Sequence, residues 1–163
     1  VTLNTDGSVL PESGHAAAGG LIRDHLGRCF AAFSMNLGIC SITRAELRGA
    51  VEGLQLAWEL GYRRVNVQLD SRCAVEILQR HQDHDHRHTA VSHRFQELMQ
   101  RDWEVSLTHI YREGNKCADY IASRGHQMPL GYSMFPTTDT TLVSWILYDT
   151  LGLSEPRLVM NEG

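Results

Sequence analysis

The stretch Val1-Thr2-Leu3-Asn4-Thr5-Asp6-Gly7-Ser8 decides how this chain is read. Leu3 and Thr5 alternate with Asn4 and Asp6, the pattern of a strand with two unlike faces. The strand carries one carboxylate, Asp6, and is expected to stop on Gly7-Ser8. An ordinary account of Asp-Gly is a turn that the Asp caps. Inside a sheet a carboxylate is costly to desolvate unless positive charge sits on it. Three acids further along the chain shift the balance between these accounts.

Beyond the turn that ends at Gly14, residues 16–23 and 29–37 read as strands joined by the hairpin connection Asp24-His25-Leu26-Gly27. With the opening strand they make an antiparallel meander. Gly19-Gly20 inside a strand signals close approach of another group to the backbone. Thr43 to Leu60 reads as a helix closed by Gly61, with Leu47, Val51, Leu54 and Trp58 as its core stripe. Beside that stripe runs a row of small residues, Ala50, Gly53 and Ala57, headed by Glu46. Small side chains let a helix lie close to a sheet, which would bring Glu46 to the sheet surface. Alone, Glu46 is a first-turn acid favoured by the helix dipole.

Val65, Val67 and Leu69 alternate in a strand that ends on Asp70-Ser71, and a helix follows over 72–80. Strand, helix, strand is the crossover of a parallel pair. It places Asp70 at the carboxyl end of a strand, where α/β sheets hold ligands. Alone, Asp70 is a helix cap. The run His81-Gln82-Asp83-His84-Asp85-His86-Arg87-His88 reads as a solvated loop, able to bind transition metals adventitiously. A helix over 90–100 follows, with Val91, Phe95 and Leu98 on one face. Val105, Leu107 and His109 alternate in the last expected strand. Asn115 then caps a helix whose buried face is Cys117, Ala118, Ile121 and Ala122, and Gly125 stops it. Asp119 lies beside that apolar face. After His126, Pro129, Pro136 and a Thr-rich run read as loop, and Thr141 to Leu151 as a short amphipathic helix. The expected organisation is a catalytic domain over 1–125 with an extension over 126–163 packed on it.

Length and composition fit this plan. A chain of 163 residues, 42% hydrophobic and 21% charged, suits one globular domain. No apolar run is long enough to span a bilayer and no secretory signal opens the chain. An intracellular protein of the nucleus or cytoplasm, without a membrane partner, is expected. The first residue is Val, so a piece of a longer protein is expected too. Net charge is −4 and the pI about 6.1. Nucleic-acid binders are usually basic, so such a role would need clustered Arg and Lys, or cations that offset the acids. Cys29, Cys40, Cys73 and Cys117 are widely spaced, which fits neither a zinc site nor a small disulfide framework.

Asp6, Glu46, Asp70 and Asp119 converge if the meander, helix and crossover fold onto one another in the usual way. Convergent carboxylates repel one another unless hard cations neutralise them. An all-oxygen set favours Mg²⁺ or Mn²⁺ over zinc. Two such ions about 3.5–4 Å apart clamp the attacking water and the leaving oxygen of a phosphodiester.

These pieces resemble the ribonuclease H family, type 1. The resemblance is carried by Thr5-Asp6-Gly7-Ser8, Thr43-Arg44-Ala45-Glu46-Leu47, Leu69-Asp70-Ser71, and His109 with Asn115 and Asp119, in order and spacing, over about Val1 to Arg124. It is most similar to the plant ribonuclease H-like domains of non-LTR retrotransposon polyproteins and related host proteins, in Gly20-Leu21-Ile22-Arg23-Asp24, in His109-Ile110-Tyr111-Arg112-Glu113-Gly114-Asn115, and in the ending Leu147-Tyr148-Asp149-Thr150-Leu151-Gly152. The resemblance implies an α/β ribonuclease H-like fold: a five-stranded mixed sheet, strands 1–3 antiparallel, strands 4 and 5 parallel to strand 1, helices on both faces. It implies a metal-binding quartet of Asp6, Glu46, Asp70 and Asp119, and a mobile histidine at His109 that assists proton transfer or product release. It implies two Mg²⁺ ions, with Mn²⁺ as a substitute, and cleavage of the RNA strand of an RNA–DNA hybrid. Gly7, Ser8, Ser41, Thr43, Arg44, Ser71, Arg72 and Asn115 would face that hybrid, and a reverse transcriptase domain of the same polyprotein would be a partner. Two features depart from the family's cellular enzymes: neither a basic protrusion nor a separate hybrid-binding domain is visible. Candidate cations near the site are Arg23, Arg44, Arg72, Arg112 and Lys116.

Rival readings are weaker. Proofreading-type exonucleases want an acid where Ser8 stands, and integrase-like enzymes want a late Glu in place of Asp119. A degenerate domain kept for nucleic-acid binding or assembly is the main alternative. Four acids held together argue against it, since a pure binder has no use for their repulsion. A His-rich metal-buffering module is a remote third.

Overall fold

The opening strand lies inside its sheet, with neighbours on both sides. The computed structural model describes residues 1–80 and 87–152. The strands are β1 (Thr2–Val9), β2 (His15–Arg23), β3 (Cys29–Ile39), β4 (Arg64–Leu69), β5 (Glu104–His109) and β6 (Gly131–Phe135). The helices are α1 (Ile42–Glu59), α2 (Arg72–Arg80), α3 (Thr89–Met99), α4 (Lys116–Arg124) and α5 (Thr140–Thr150). They build a six-stranded sheet in the order β5-β4-β1-β2-β3-β6. β1, β2 and β3 pair antiparallel, while β4 runs parallel to β1 and β5 parallel to β4. No helix of the described residues is long and apolar enough to cross a membrane.

The expected meander, crossover and helices are present, with two corrections. First, β1 does not stop at Gly7-Ser8. It pairs with β2 through Gly7↔Ala18, Ser8↔Ala17 and Val9↔Ala16. Gly7 serves packing rather than a turn: a Cβ there would stand 2.9 Å from the Glu46 backbone nitrogen. Second, the sheet has a sixth strand where a loop was expected, because a five-residue strand between Pro129 and Pro136 pairs with β3 at four positions, from Ala32↔Phe135 to Met35↔Tyr132. Prolines at both ends hide so short a strand, and an edge position tolerates them. The His-rich loop falls mostly on residues 81–86, outside the described residues.

Alternation along the strands sorts side chains into two layers. In β2, Ile22 joins Leu3, Phe33, Leu47 and Leu54 in the core beneath α1, α2 and α3. Its neighbour Leu21 joins Ala32, Ile121, Phe135 and Leu142 in a second core beneath α4 and α5. Trp58, expected in the α1 core stripe, is only half-buried. Its ring lies edge-on to Trp103 at 5.2 Å and under the Arg63 guanidinium at 3.6 Å.

Both helix layers approach the sheet through glycine. A Cβ on Gly53 of α1 would come within 2.8 Å of Leu3, and one on Gly19 of β2 within 2.8 Å of the Ala122 backbone nitrogen of α4. The chain beyond residue 125 is fastened to these layers. β6 completes one sheet edge, and α5 meets α4 and β2 through Asp149, which takes the Arg23 guanidinium at 3.0 Å and the Cys117 thiol at 3.3 Å. Asp139 caps α5, accepting from the Leu142 N–H at 3.0 Å and the Tyr120 hydroxyl at 2.8 Å.

Gly19→Ala should therefore lower stability by about 1–3 kcal/mol, the usual cost of overpacking a tight contact. The urea midpoint would fall with little change in slope. An unchanged midpoint would mean that α4 does not depend on the bare backbone of β2.

Candidate metal centre

Three elements bring three acids to one point. Asp6 sits in β1, opposite Gly19 of β2, and is 5% exposed. The Gly7 N–H donates to its Oδ1 at 2.9 Å. Glu46 lies near the start of α1, whose N-cap is Ser41: its Oγ accepts from the Arg44 N–H at 3.2 Å. With Gly7 lacking a Cβ, α1 packs against β1 and delivers Glu46, 4% exposed, to the level of Asp6. Asp70 follows β4. It is spared the capping duty, because Ser71 accepts from the Ala74 N–H at 3.1 Å and opens α2. One carboxylate oxygen from each of Asp6, Glu46 and Asp70 lies within 4.8 Å of the others.

The electrostatics show what this closeness costs. Asp6 is driven far above the usual carboxylate range, first by burial and then by the charge of Glu46. Glu46 is pushed up to about 7, chiefly by burial, with the charge of Asp70 adding to it. Asp70 is raised by burial, against the pull of Arg112 and Asn115. Glu46 Oε2 is buried with no hydrogen-bond partner among the described residues.

Of the remaining predicted residues, some flank this trio and others line a groove. Asp119 of α4 is exposed and stands outside the group of oxygens within 4.8 Å, yet its charge raises both Asp6 and Asp70. His109 ends β5, and its Nε2 donates to the Asp70 carbonyl at 3.2 Å, the ring edge-on to Tyr111. Asn115 is a strut rather than an exposed group: 1% accessible, it donates to the Thr5 carbonyl at 3.0 Å and supports Asp70. Asn4 joins it, donating to Asn115 Oδ1 at 3.4 Å and Gln68 Oε1 at 2.9 Å and accepting from the Arg23 guanidinium at 3.0 Å. Ser41, Thr43 and Arg44 line a groove of about 820 Å³ between α1 and α2. Arg48, Arg80 and Arg87 line it as well, and sequence reasoning missed all three. Arg44 and Arg48 stand four apart on one helix, a spacing that would have revealed a cationic face. Arg72 is exposed at the start of α2, outside that lining.

Known proteins give this arrangement its place. Residues 4–125 match the profile of the reverse transcriptase-like family. A protein of Arabidopsis thaliana, named as a candidate ribonuclease H protein, is 36% identical over 159 residues. That alignment covers 98% of this chain and 26% of the relative, so the chain spans about a quarter of that protein's length. RNase H1 of the archaeon Halobacterium salinarum superposes with a TM-score of 0.72 at 24% identity, over 78% of this chain and 97% of its own. LC11-RNase H1, solved in complex with an RNA/DNA hybrid, gives 0.66 at 22% identity, over 77% and 96%. The fold is that of ribonuclease H, and the chain belongs to the reverse transcriptase-like family.

The raised acids set a pH dependence. Between the ordinary carboxylate range and about 7, the folded chain holds more protons than the unfolded one. Stability in EDTA should therefore fall as pH rises through that window. Asp6→Asn removes a group that the folded chain must keep protonated, and should raise the unfolding free energy in urea at pH 8 by on the order of 1 kcal/mol or more, with little effect at pH 4. A variant no more stable than wild type at pH 8 would show that burial beside the other acids costs Asp6 nothing.

Proposed function

We propose that this chain is a metal-dependent endonuclease that hydrolyses the RNA strand of RNA–DNA hybrids, and that it works as the ribonuclease H domain of a retroelement reverse transcriptase polyprotein. The observation that carries this reading is the buried trio of Asp6, Glu46 and Asp70, with one Glu46 oxygen left without a partner among the described residues. Hard divalent cations fit such a donor set: every donor is a carboxylate oxygen, the oxygens already converge, and the orphaned one lacks only a ligand. Asp119, on the exposed side, completes the quartet. When bound, Mg²⁺ or Mn²⁺ would supply an activated water and stabilisation of the leaving 3′-oxygen.

The chain's own residues supply position and proton traffic. Asp6 and Glu46 fix the buried end of the site and Asp70 the end nearest His109. His109 stands where it can pass a proton or help release the cut strand. Arg112, whose charge already lowers Glu46 and Asp70, would meet a scissile phosphate. The groove bearing Arg44, Arg48, Arg80 and Arg87 offers positive charge to a nucleic-acid backbone, which supplies much of the affinity in such complexes. It answers the problem of an acidic chain without a basic protrusion. Choice of the RNA strand falls to groups that read 2′-hydroxyls, the feature that separates RNA from DNA; Gly7, Ser8 and Ser71 are the nearest. A polyprotein context is supported by the reverse transcriptase-like family and by the much longer Arabidopsis relative.

A labelled RNA–DNA hybrid, incubated with Mg²⁺, Mn²⁺ or EDTA, tests the reading. Wild type should cut the RNA strand only with metal. Asp70→Asn should lose cleavage by at least about a hundredfold, as expected when a group acting on the reacting centre is lost, while keeping its circular dichroism. Undiminished turnover by that variant would sink the metal assignment. Wild type that binds hybrid and leaves it uncut would instead mark a domain kept for binding or assembly.

A further inference from the structure

A second polar chain runs beside the acids, from Ser8 through three residues that the proposed chemistry does not use. Ser8 follows Asp6 by two positions in β1, so the two side chains share a face, about 7 Å apart along the strand. The Ser8 hydroxyl lies 2.8 Å from His126 Nε2. His126 Nδ1 lies 2.6 Å from His15 Nδ1, and His15 Nε2 lies 2.9 Å from Asn36 Oδ1. The four residues come from β1, the turn over Gly125–Gln127, β2 and β3. That turn is pressed onto the sheet: a Cβ on Gly125 would stand 2.8 Å from the Met35 carbonyl oxygen.

With one proton on each imidazole, the direction of the hydrogen bonds in this chain follows from its far end. Asn36 is oriented by two backbone groups, donating from Nδ2 to the Met128 carbonyl at 2.9 Å and accepting at Oδ1 from the Gly38 N–H at 3.1 Å. Oδ1 can only accept, so His15 Nε2 must carry a proton. With that as the ring's one proton, His15 presents a lone pair at Nδ1, and His126 Nδ1 donates to it. Burial lowers the His126 pKa, which favours a neutral ring. Its Nε2 is therefore an acceptor, and the Ser8 hydroxyl donates inward. The lone pairs of Ser8 Oγ are left for a partner outside.

We propose that His126, fixed by His15 and Asn36, is a positioning residue that turns the Ser8 hydroxyl inward, so that Ser8 Oγ accepts a hydrogen bond from a 2′-hydroxyl of the RNA strand. This rests on the ribonuclease H reading and names how that site tells ribose from deoxyribose. A 2′-hydroxyl can donate to Ser8 Oγ, whereas deoxyribose has nothing to donate.

A double-mutant cycle on hybrid cleavage tests the coupling. Ser8→Ala and His126→Ala should each lower kcat/KM about five- to tenfold, the worth of one hydrogen bond. The double variant should be no worse than either single one, because His126 acts through Ser8. His126→Gln, whose amide oxygen can accept, should recover most of the loss. An RNA strand carrying one 2′-fluoro group at a time, which accepts but does not donate, should slow wild type by a similar factor at one nucleotide and leave both Ala variants insensitive there. Imidazole ¹⁵N shifts should show the proton on Nε2 of His15 and on Nδ1 of His126. Additive losses, unchanged cleavage by Ser8→Ala, or the opposite tautomers would overturn this inference while leaving the nuclease reading intact. Wild type that cuts no hybrid would overturn the nuclease reading itself, and the ¹⁵N shifts would still decide the polarity of the chain.

Discussion

Burial of carboxylates beside one another, where desolvation and mutual repulsion both oppose their charge, is the constraint around which this molecule is built. Asp6 and Glu46 are almost wholly out of water and share a point with Asp70. A fold assembled for stability alone would hold apolar or paired groups there. The acids instead sit at the junction of β1, α1 and β4, where rigid elements prevent them from moving apart. Their raised pKa values express that confinement. The cost is local, and it is offset by two apolar cores on either side of the sheet.

Close approach is how the confinement is achieved. Gly7 admits the start of α1, Gly53 brings the middle of that helix onto Leu3, and Gly19 does the same for α4 on the opposite face. Each contact moves an acid-bearing element inward: Glu46 rides on α1 and Asp119 on α4. Buried asparagines then lock the arrangement. Asn115 ties Asp70 to the Thr5 carbonyl, and Asn4 links Asn115 to Arg23, which pairs with Asp149 of α5. A continuous polar path thus runs from the acids to the C-terminal helix, beyond the residues that match the family profile.

The sequence by itself determined the plan. Strand alternation, the Leu-Val-Leu stripe of α1 and the strand-helix-strand crossover are local patterns that survive folding, so the meander, the parallel pair and the place of Asp70 at a strand end could all be read from it. Tertiary structure decided the rest. Gly7 looked like a turn because Asp-Gly usually is one, and only the helix packed against it shows why the strand continues. The sixth strand exists because β3 offers an open edge to five residues whose own signal is buried between prolines. The convergence of three oxygens, the exposure of Asp119, the burial of Asn115 and the arginines gathered across a groove are distances between residues far apart in the chain. Sequence periodicity reports which face a side chain takes; only the packed elements fix what it meets there.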